Sequence, residues 1–323
     1  MKDKLGRRID YLRISVTDRC NLRCLYCMPA EGVAYKSHGD ILSYEEIVRF
    51  AHAGAQLGIR RIRLTGGEPL VRAGLLELVR GLKAIPGIGE LSLTSNGILL
   101  APLAGRLKAA GLDRVNISLD TLDSQKYAQI SRRDSLPAAW AGIRAALEVG
   151  LEPVKINTVA LRGINEDELP ALAALTLKHP LHVRFIEVMP LGDDLDWARQ
   201  HLLPLNEVKD LIGTVGELAP ARVAGSGPAH VYRFAGGLGT VGFIAALSHN
   251  FCHLCNRLRL TADGKLKPCL ASDVEVDVKG ALRAGADMGE IQALYRKAVA
   301  LKPSRHKLQQ YREQGRNMNQ IGG

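Results

Sequence analysis

Arg13-Ile14-Ser15-Val16-Thr17-Asp18-Arg19-Cys20-Asn21-Leu22-Arg23-Cys24-Leu25-Tyr26-Cys27 carries a β-branched, aliphatic run straight into three cysteines spaced C-x3-C-x2-C. The run reads as a strand, Tyr11–Val16, with the cysteines on the loop at its carboxyl end. A four-iron, four-sulfur cluster is ordinarily held by four thiolates, one for each iron. A loop that offers only Cys20, Cys24 and Cys27 leaves one iron open, free to bind a small molecule rather than only to pass electrons. An aromatic, Tyr26, stands just before the last cysteine.

Outward from this loop, short aliphatic or β-branched runs recur at Tyr11–Val16, Arg61–Thr65, Glu90–Ser95, Arg114–Leu119, Pro153–Val159 and His182–Val188. Between most of them lie amphipathic stretches rich in Ala and Leu, such as Tyr44–Leu57 and Ala138–Val149. Strand alternating with helix predicts βα units and parallel strands. Six such units predict an incomplete (β/α)6 barrel of the TIM-like kind. The pattern changes near residue 220. Val215–Pro228, rich in Gly, Pro and Ala, reads as a linker or irregular crossing. Beyond it come His230–Phe234, Thr240–Ala245, and the pair Arg257–Thr261 and Lys265–Leu270, joined by the hairpin signal Ala262-Asp263-Gly264. A helix around Met288–Leu301 and a polar tail ending in Gly322-Gly323 follow. Residues 1–220 are therefore expected to form the partial barrel, and 221–323 a C-terminal α+β extension.

With 323 residues, 46% hydrophobic and 24% charged, the chain is long enough to bury a full core and is ordinary for a soluble globular protein. Met1–Asp10 is charged and lacks an apolar segment, and no apolar run approaches the roughly 18 residues of a membrane span. The expectation is a cytoplasmic protein whose six cysteines stay reduced and available to metal. The net charge of +10, from 43 basic and 33 acidic residues, suits nucleic acid or a small polyanion, and the placement of the cations must decide.

That placement is informative. Read at period two, one strand face is apolar: Leu12/Ile14, Ile62/Leu64, Leu91/Leu93, Val115/Ile117, Val154/Ile156 and Val183/Phe185. The other carries Arg13/Ser15, Arg63/Thr65, Ser92/Thr94, Asn116/Ser118, Lys155/Asn157 and Arg184, with no carboxylate among them. In a βα barrel the outer face packs on helices and the inner face is normally filled with branched aliphatics. Several cations on the inner face must be neutralised there, because unpaired buried charge is costly. A phosphate-rich ligand inside the barrel is the simplest answer.

A second cysteine set, Cys252, Cys255 and Cys269, again offers three thiolates. A Cys3His zinc site completed by His249 or His253 fits the spacing, as does a second open cluster. Thr65-Gly66-Gly67-Glu68-Pro69 closes the second strand with glycines that let a backbone approach a ligand. The chain contains no phosphate loop of the G-x-x-x-x-G-K-[ST] type, no serine elbow and no paired-histidine metal motif.

Taken together these motifs resemble the radical S-adenosylmethionine (SAM) enzymes, and within them the GTP 3′,8-cyclase family, also called molybdenum cofactor biosynthesis protein A. The resemblance spans Arg13 to Gly323. It is carried by Arg13-Ile14-Ser15-Val16-Thr17-Asp18-Arg19-Cys20, Tyr26-Cys27-Met28-Pro29, Arg63-Leu64-Thr65-Gly66-Gly67-Glu68-Pro69, Thr94-Ser95-Asn96-Gly97, Asn116-Ile117-Ser118-Leu119-Asp120, Arg184-Phe185-Ile186-Glu187-Val188-Met189-Pro190, the second triad with Arg257-Leu258-Arg259, and the terminal Gly-Gly. No motif position departs from the family.

The resemblance implies two [4Fe-4S] clusters and SAM as cofactors. Cys20, Cys24 and Cys27 would hold the SAM-binding cluster, and Tyr26, Gly67, Ser118 and Met189 would contact SAM. Cys252, Cys255 and Cys269 would hold the second cluster, whose open iron binds the guanine edge. Arg13, Arg63, Thr94, Lys155, Arg257, Leu258 and Arg259 would contact GTP, with Arg184 beside it; Arg13, Lys155 and Arg184 are the candidate catalytic residues. The family tail reaches into the active site. The implied reaction abstracts hydrogen from C3′ of GTP with a 5′-deoxyadenosyl radical and closes C3′ onto C8. The product is (8S)-3′,8-cyclo-7,8-dihydroguanosine 5′-triphosphate. The implied partners are a small electron donor such as flavodoxin or ferredoxin and the next pathway enzyme, cyclic pyranopterin monophosphate synthase, with a homodimer as the candidate assembly and neither membrane nor nucleic acid. Two other readings compete. A radical SAM peptide-modifying enzyme usually carries more C-terminal cysteines. A basic iron–sulfur regulator would place its cations on an exposed helix with interleaved aromatics.

Overall fold

The computed structural model describes residues 1–191, 195–223, 227–249, 251–306, 308 and 315–322. β1 (Tyr11–Ser15), β2 (Arg61–Thr65), β3 (Glu90–Ser95), β4 (Arg114–Ser118), β5 (Lys155–Ala160) and β6 (His182–Glu187) lie side by side in chain order and in parallel. The crossovers run through α1 (Tyr44–Gln56), α2 (Leu75–Lys83), α3 (Ala104–Ala109), α4 (Ser124–Ser131) with α5 (Leu136–Glu148), and α6 (Leu169–Lys178). The strand expected from Pro153 begins at Lys155, because proline has no N–H to give the ladder.

The segment beyond residue 220 joins the same sheet at both open edges. β9 (Thr240–Ile244) runs parallel to β6, and β10 (Arg257–Leu260) parallel to β1. From β9 the sheet continues antiparallel into β8 (His230–Phe234) and β7 (Leu218–Pro220); from β10 it continues into β11 (Lys265–Lys267) and β12 (Val276–Asp277). The order β12-β11-β10-β1-β2-β3-β4-β5-β6-β9-β8-β7 is open, so the barrel is incomplete. Two readings are corrected here. Val215–Pro228 is not a pure linker, since it contains β7, paired to β8; residues 224–226 lie outside the described residues. The strand expected over Lys265–Leu270 stops at Lys267, where Pro268 ends the ladder.

The outward strand residues Leu12, Ile14, Ile62, Leu64, Leu91, Leu93, Val115, Ile117, Ile156 and Val183 are fully buried and form one core with Phe50, Leu78, Leu107, Ile143 and Leu172 of the helices. α1 starts in a capping box: Ser43 Oγ accepts from the Glu46 N–H (3.2 Å), and the Glu46 carboxylate accepts from the Ser43 N–H (2.7 Å). Its buried Phe50 stacks on Tyr295 of the helix Met288–Ala300, with centroids 4.3 Å apart, and the Tyr295 hydroxyl donates to the Phe50 carbonyl (3.1 Å). A Cβ at Gly54 would lie 2.5 Å from that hydroxyl, so glycine makes room for the ring. The end of the chain is thereby packed onto its beginning.

Candidate functional site

The end of β1 is shaped by the glycine turn after β2. The Gly67 N–H donates to the Thr17 carbonyl and the Glu68 N–H to that of Arg19, both at 2.8 Å. A Cβ on Gly66 would come within 2.6 Å of the Thr17 oxygen, and one on Gly67 within 2.9 Å of the Asp18 oxygen, so only glycine fits. Past the turn the Arg23 guanidinium donates to the carbonyls of Cys20 (2.8 Å) and Leu22 (2.9 Å), and the Cys27 N–H donates to Cys24 (2.9 Å). This curls the loop so that Cys20, Cys24 and Cys27 line one cavity together with Tyr26, Gly67, Thr94, Ser118 and Met189.

The cavity is walled by buried carboxylates. Glu68 accepts from the N–H groups of Asn96 (2.7 Å) and Leu70 (3.0 Å) and from Ser95 Oγ (2.9 Å), yet burial pushes its carboxyl up to about 7. Asp120 accepts from the Tyr26 hydroxyl (2.6 Å) and the Val159 N–H (2.8 Å), and burial raises it to about 6. Burial also lifts the thiols of Cys20 and Cys27, to about 11 and about 12, and pushes Cys24 well up too. Thiols so placed ionise only beside a cation, which is what a bound metal supplies. Three thiols lining one cavity next to a bared backbone turn thus fit an open cluster and its small-molecule ligand.

One layer along the same strand faces lie the cations. Thr65, Thr94, Ser118 and Asn157 line the cysteine cavity, while Arg63 on β2 and Lys155 on β5 sit two residues earlier, on the same face. Arg13 of β1 is in register with Arg63 on one side and Arg259 of β10 on the other, and Arg257 is level with Tyr11. Arg63, Lys155, Arg184 and Arg259 are at most 7% exposed. Arg63 donates to Ser92 Oγ (3.2 Å) and lies over the Tyr11 ring (5.5 Å); Arg184 donates to Asn157 Oδ1 (2.5 Å). Burial, with repulsion from Arg184, Arg114 and Arg63, pulls Lys155 down to about 6. Burial and Arg114 bring Arg184 to about 9, and burial drives Arg63 and Arg259 lower as well. A guanidinium nevertheless keeps its proton in proteins, so a lumen built this way favours a polyanion, whose oxygens answer several charges at once. Leu258 departs from this group. It is fully buried in the apolar core, in register with Leu12, so its side chain faces the helices and only its main chain could serve a ligand.

Cys252 and Cys255 precede β10 and Cys269 follows β11. Arg7 donates to the carbonyls of Cys252 (2.7 Å) and Pro303 (2.8 Å), and Lys302 to those of Arg257 (2.7 Å) and Pro268 (2.8 Å). Burial alone would raise the Cys255 thiol, but Lys302 and Arg257 outweigh it and bring it down to about 7. Among the described residues no three His, Cys, Asp or Glu side chains converge to hold a single metal ion, and His249 and His253 are exposed. A cluster, unlike a single zinc ion, spreads its thiolates over several irons.

Radical SAM superfamily sequences match residues 14–176, and the Molybdenum Cofactor Synthesis C family matches residues 181–308. The chain is 56% identical to the GTP 3′,8-cyclase of Pelotomaculum thermopropionicum and 54% identical to that of Moorella thermoacetica, covering 100% of both chains in each case. The chain belongs to the GTP 3′,8-cyclase family. Among solved structures, SuiB of Streptococcus suis bound to precursor peptide SuiA is similar at a TM-score of 0.62 and 14% identity, over 89% of this chain and 67% of that one. Methylornithine synthase (PylB) is similar at 0.51 and 18%, over 65% and 64%. At such identity these two share the fold alone.

For this family member the sequence reading missed several residues. Arg114 and Glu90 share the inner-face phase of Asn116 and Ser92 and form an ion pair; Glu90 also approaches Arg61 (3.9 Å), which pairs with Asp10 (3.0 Å). Extending the period-two pattern one step toward each strand start would have found them. In the tail, Arg316 grips Asp263 (3.0 Å) and Glu275 (2.6 Å), Asn319 donates to the Asp18 carbonyl (2.9 Å), and Arg259 donates to the Gly322 carbonyl (2.5 Å). Gly322 has φ +68°, and a Cβ there would strike Thr65 Oγ1, so glycine is required. Gly323 lies outside the described residues.

Proposed function

We propose that this member of the GTP 3′,8-cyclase family cyclises GTP to (8S)-3′,8-cyclo-7,8-dihydroguanosine 5′-triphosphate, the first step of molybdenum cofactor biosynthesis. The observation that carries the reading is the in-register row Arg259–Arg13–Arg63 on β10, β1 and β2, buried at Arg259 and Arg63 and half-buried at Arg13, with the buried Lys155 and Arg184 on β5 and β6, next to the cavity of Cys20, Cys24 and Cys27. When bound at those cysteines, the cluster and SAM supply the radical that takes hydrogen from C3′ of GTP.

The chain's own residues do the rest. Arg13, Arg63, Lys155, Arg184, Arg257 and Arg259 hold the triphosphate and fix C3′ toward the cavity, which turns an encounter into an oriented step. Lys155 takes up a proton as the phosphates arrive, because their charge offsets the burial that had pulled it to about 6. Tyr26, Gly67, Ser118 and Met189 line the SAM end. Cys252, Cys255 and Cys269 would hold the second cluster at the guanine end, where Lys302 and Arg257 favour the Cys255 thiolate. A burial-lined lumen keeps water from reactive carbon centres. The same reading carries a small electron donor such as flavodoxin or ferredoxin, product hand-off to cyclic pyranopterin monophosphate synthase, a homodimer and a cytoplasmic setting. No helix among the described residues is long and apolar enough to cross a membrane.

The test is anaerobic. The protein is reconstituted with iron and sulfide, supplied with SAM and a reductant, and assayed for 5′-deoxyadenosine with and without GTP. GTP-dependent formation with a cyclised product is expected. Cleavage of SAM indifferent to GTP would remove GTP as the substrate.

A further inference from the structure

The C-terminal tail brings one side chain to the SAM end of the site that the motif reading did not assign. Asn319 is 2% exposed. Its Nδ2 donates to the Asp18 carbonyl at 2.9 Å, and a carbonyl can only accept, so this bond fixes which way the amide points. Oδ1 is then the other end of the amide. It is buried and has no hydrogen-bond partner among the described residues. Asn319 lines the same cavity as Cys20, Cys24, Cys27 and the Gly66-Gly67 turn. The carboxylates of that cavity are already served by the protein: Glu68 by Ser95 and two backbone N–H groups, Asp120 by Tyr26 and Val159, and Glu187 by Leu247 and Ser248. A buried acceptor left over in a ligand cavity marks a place where the ligand provides the donor.

We propose that Asn319 completes the SAM site from the tail, its Oδ1 accepting a hydrogen bond from an N–H or O–H group of bound SAM. This rests on the reading of the cysteine cavity as the SAM site. It makes the tail a part of the cofactor pocket as well as a visitor to the substrate lumen. The anchoring is local: Arg316, gripping Asp263 and Glu275, holds the short stretch that carries Asn319 against the cavity.

The experiment uses the full-length, cluster-loaded protein and SAM itself. Dissociation constants for SAM and for GTP are measured by anaerobic calorimetry, without reductant, for the wild type, Asn319→Ala and Asn319→Asp, with iron and sulfide counted in each. Asn319→Ala is expected to weaken SAM roughly ten- to a hundred-fold while GTP moves by less than about twofold. Asn319→Asp, which keeps an acceptor oxygen but loses the donor to Asp18, is expected to recover most of the SAM affinity. A change in SAM affinity below about twofold for Asn319→Ala would overturn the proposal. So would equal weakening of SAM and GTP, or an Asp variant no better than Ala, since each describes a residue that only anchors the tail. A wild type that holds its first cluster but does not bind SAM would overturn the reading of the cavity, a result separable from any behaviour of the variants.

Discussion

Around Cys20, Cys24 and Cys27 the buried ionisable neighbours are Glu68 and Asp120, whereas Cys252 and Cys255 have the buried Arg7 and Lys302 and the half-buried Arg257. Thiols of the first set are pushed up by burial to about 11 and about 12 at Cys20 and Cys27; Cys255 in the second is brought down to about 7, its burial outweighed by Lys302 and Arg257. Burial raises Cys252 as well, so the two triads part company at Cys255, where the cations prevail. SAM is a sulfonium cation and GTP is a polyanion, so the carboxylates at one end and the cations at the other fit the proposed placement of the two ligands. The lumen arginines and Lys155 lie between the two triads and extend the cationic end up to the floor of the carboxylate-walled cavity.

The largest expected effect comes from exchanging which triad is broken. Cys24→Ala should abolish 5′-deoxyadenosine formation while leaving GTP binding close to wild type; Cys255→Ala should weaken GTP binding and leave SAM binding intact. Iron counts paired with the two binding constants check both. Loss of both ligands in either variant would erase the comparison.

Next in size is the loss of a single lumen cation. A charge-assisted hydrogen bond contributes about 1.5–3 kcal/mol, so Arg184→Met should weaken GTP roughly ten- to a hundred-fold, with SAM unchanged, by calorimetry.

Lys155 sharpens the comparison through protons. Its folded-state value, about 6, lies below its ordinary 10.5. At pH 8 it is mostly neutral in the nucleotide-free protein, and binding of the triphosphate should take up close to one proton, seen as a buffer-dependent binding enthalpy and absent in Lys155→Met. The same shift has a stability consequence. Between about 6 and 10.5 the unfolded chain binds more protons at this site, so the contribution of Lys155 to stability rises with pH across that window. Glu68 acts in the opposite sense at the other end: raised from 4.5 to about 7, it contributes stability below 4.5 that is lost as pH rises through 7. The smallest effect is expected from Tyr26→Phe, which deletes the bond to Asp120 and, at about 1 kcal/mol, should shift SAM affinity by only a few-fold.

Much of this was legible in the sequence because strands carry a period of two. The six barrel strands fall within a residue or two of their expected bounds, and the inner-face cations Arg13, Arg63, Lys155 and Arg184 follow from the same alternation. Arg114 and Glu90 were missed because the pattern was started one step too late on β4 and β3. The flanking of both barrel edges by β9 and β10 was not legible, since pairing between Arg13 and Arg259 is set by long-range register rather than by local pattern. The same holds for Asn319, which meets Asp18 only once the chain has returned across the whole fold.

The most direct test is thermal unfolding of the wild type and Arg63→Met, each with and without GTP. Arg63 is buried against its own kind, with Arg13, Arg114 and Arg184 all pressing on it. Without GTP the variant should melt above the wild type, because a buried, repelled charge has been removed; with GTP the order should reverse, because the wild type gains the triphosphate's attraction and the variant gains less of it. A variant that melts below the wild type without GTP, and is stabilised equally by it, would contradict the assignment of the lumen to the triphosphate.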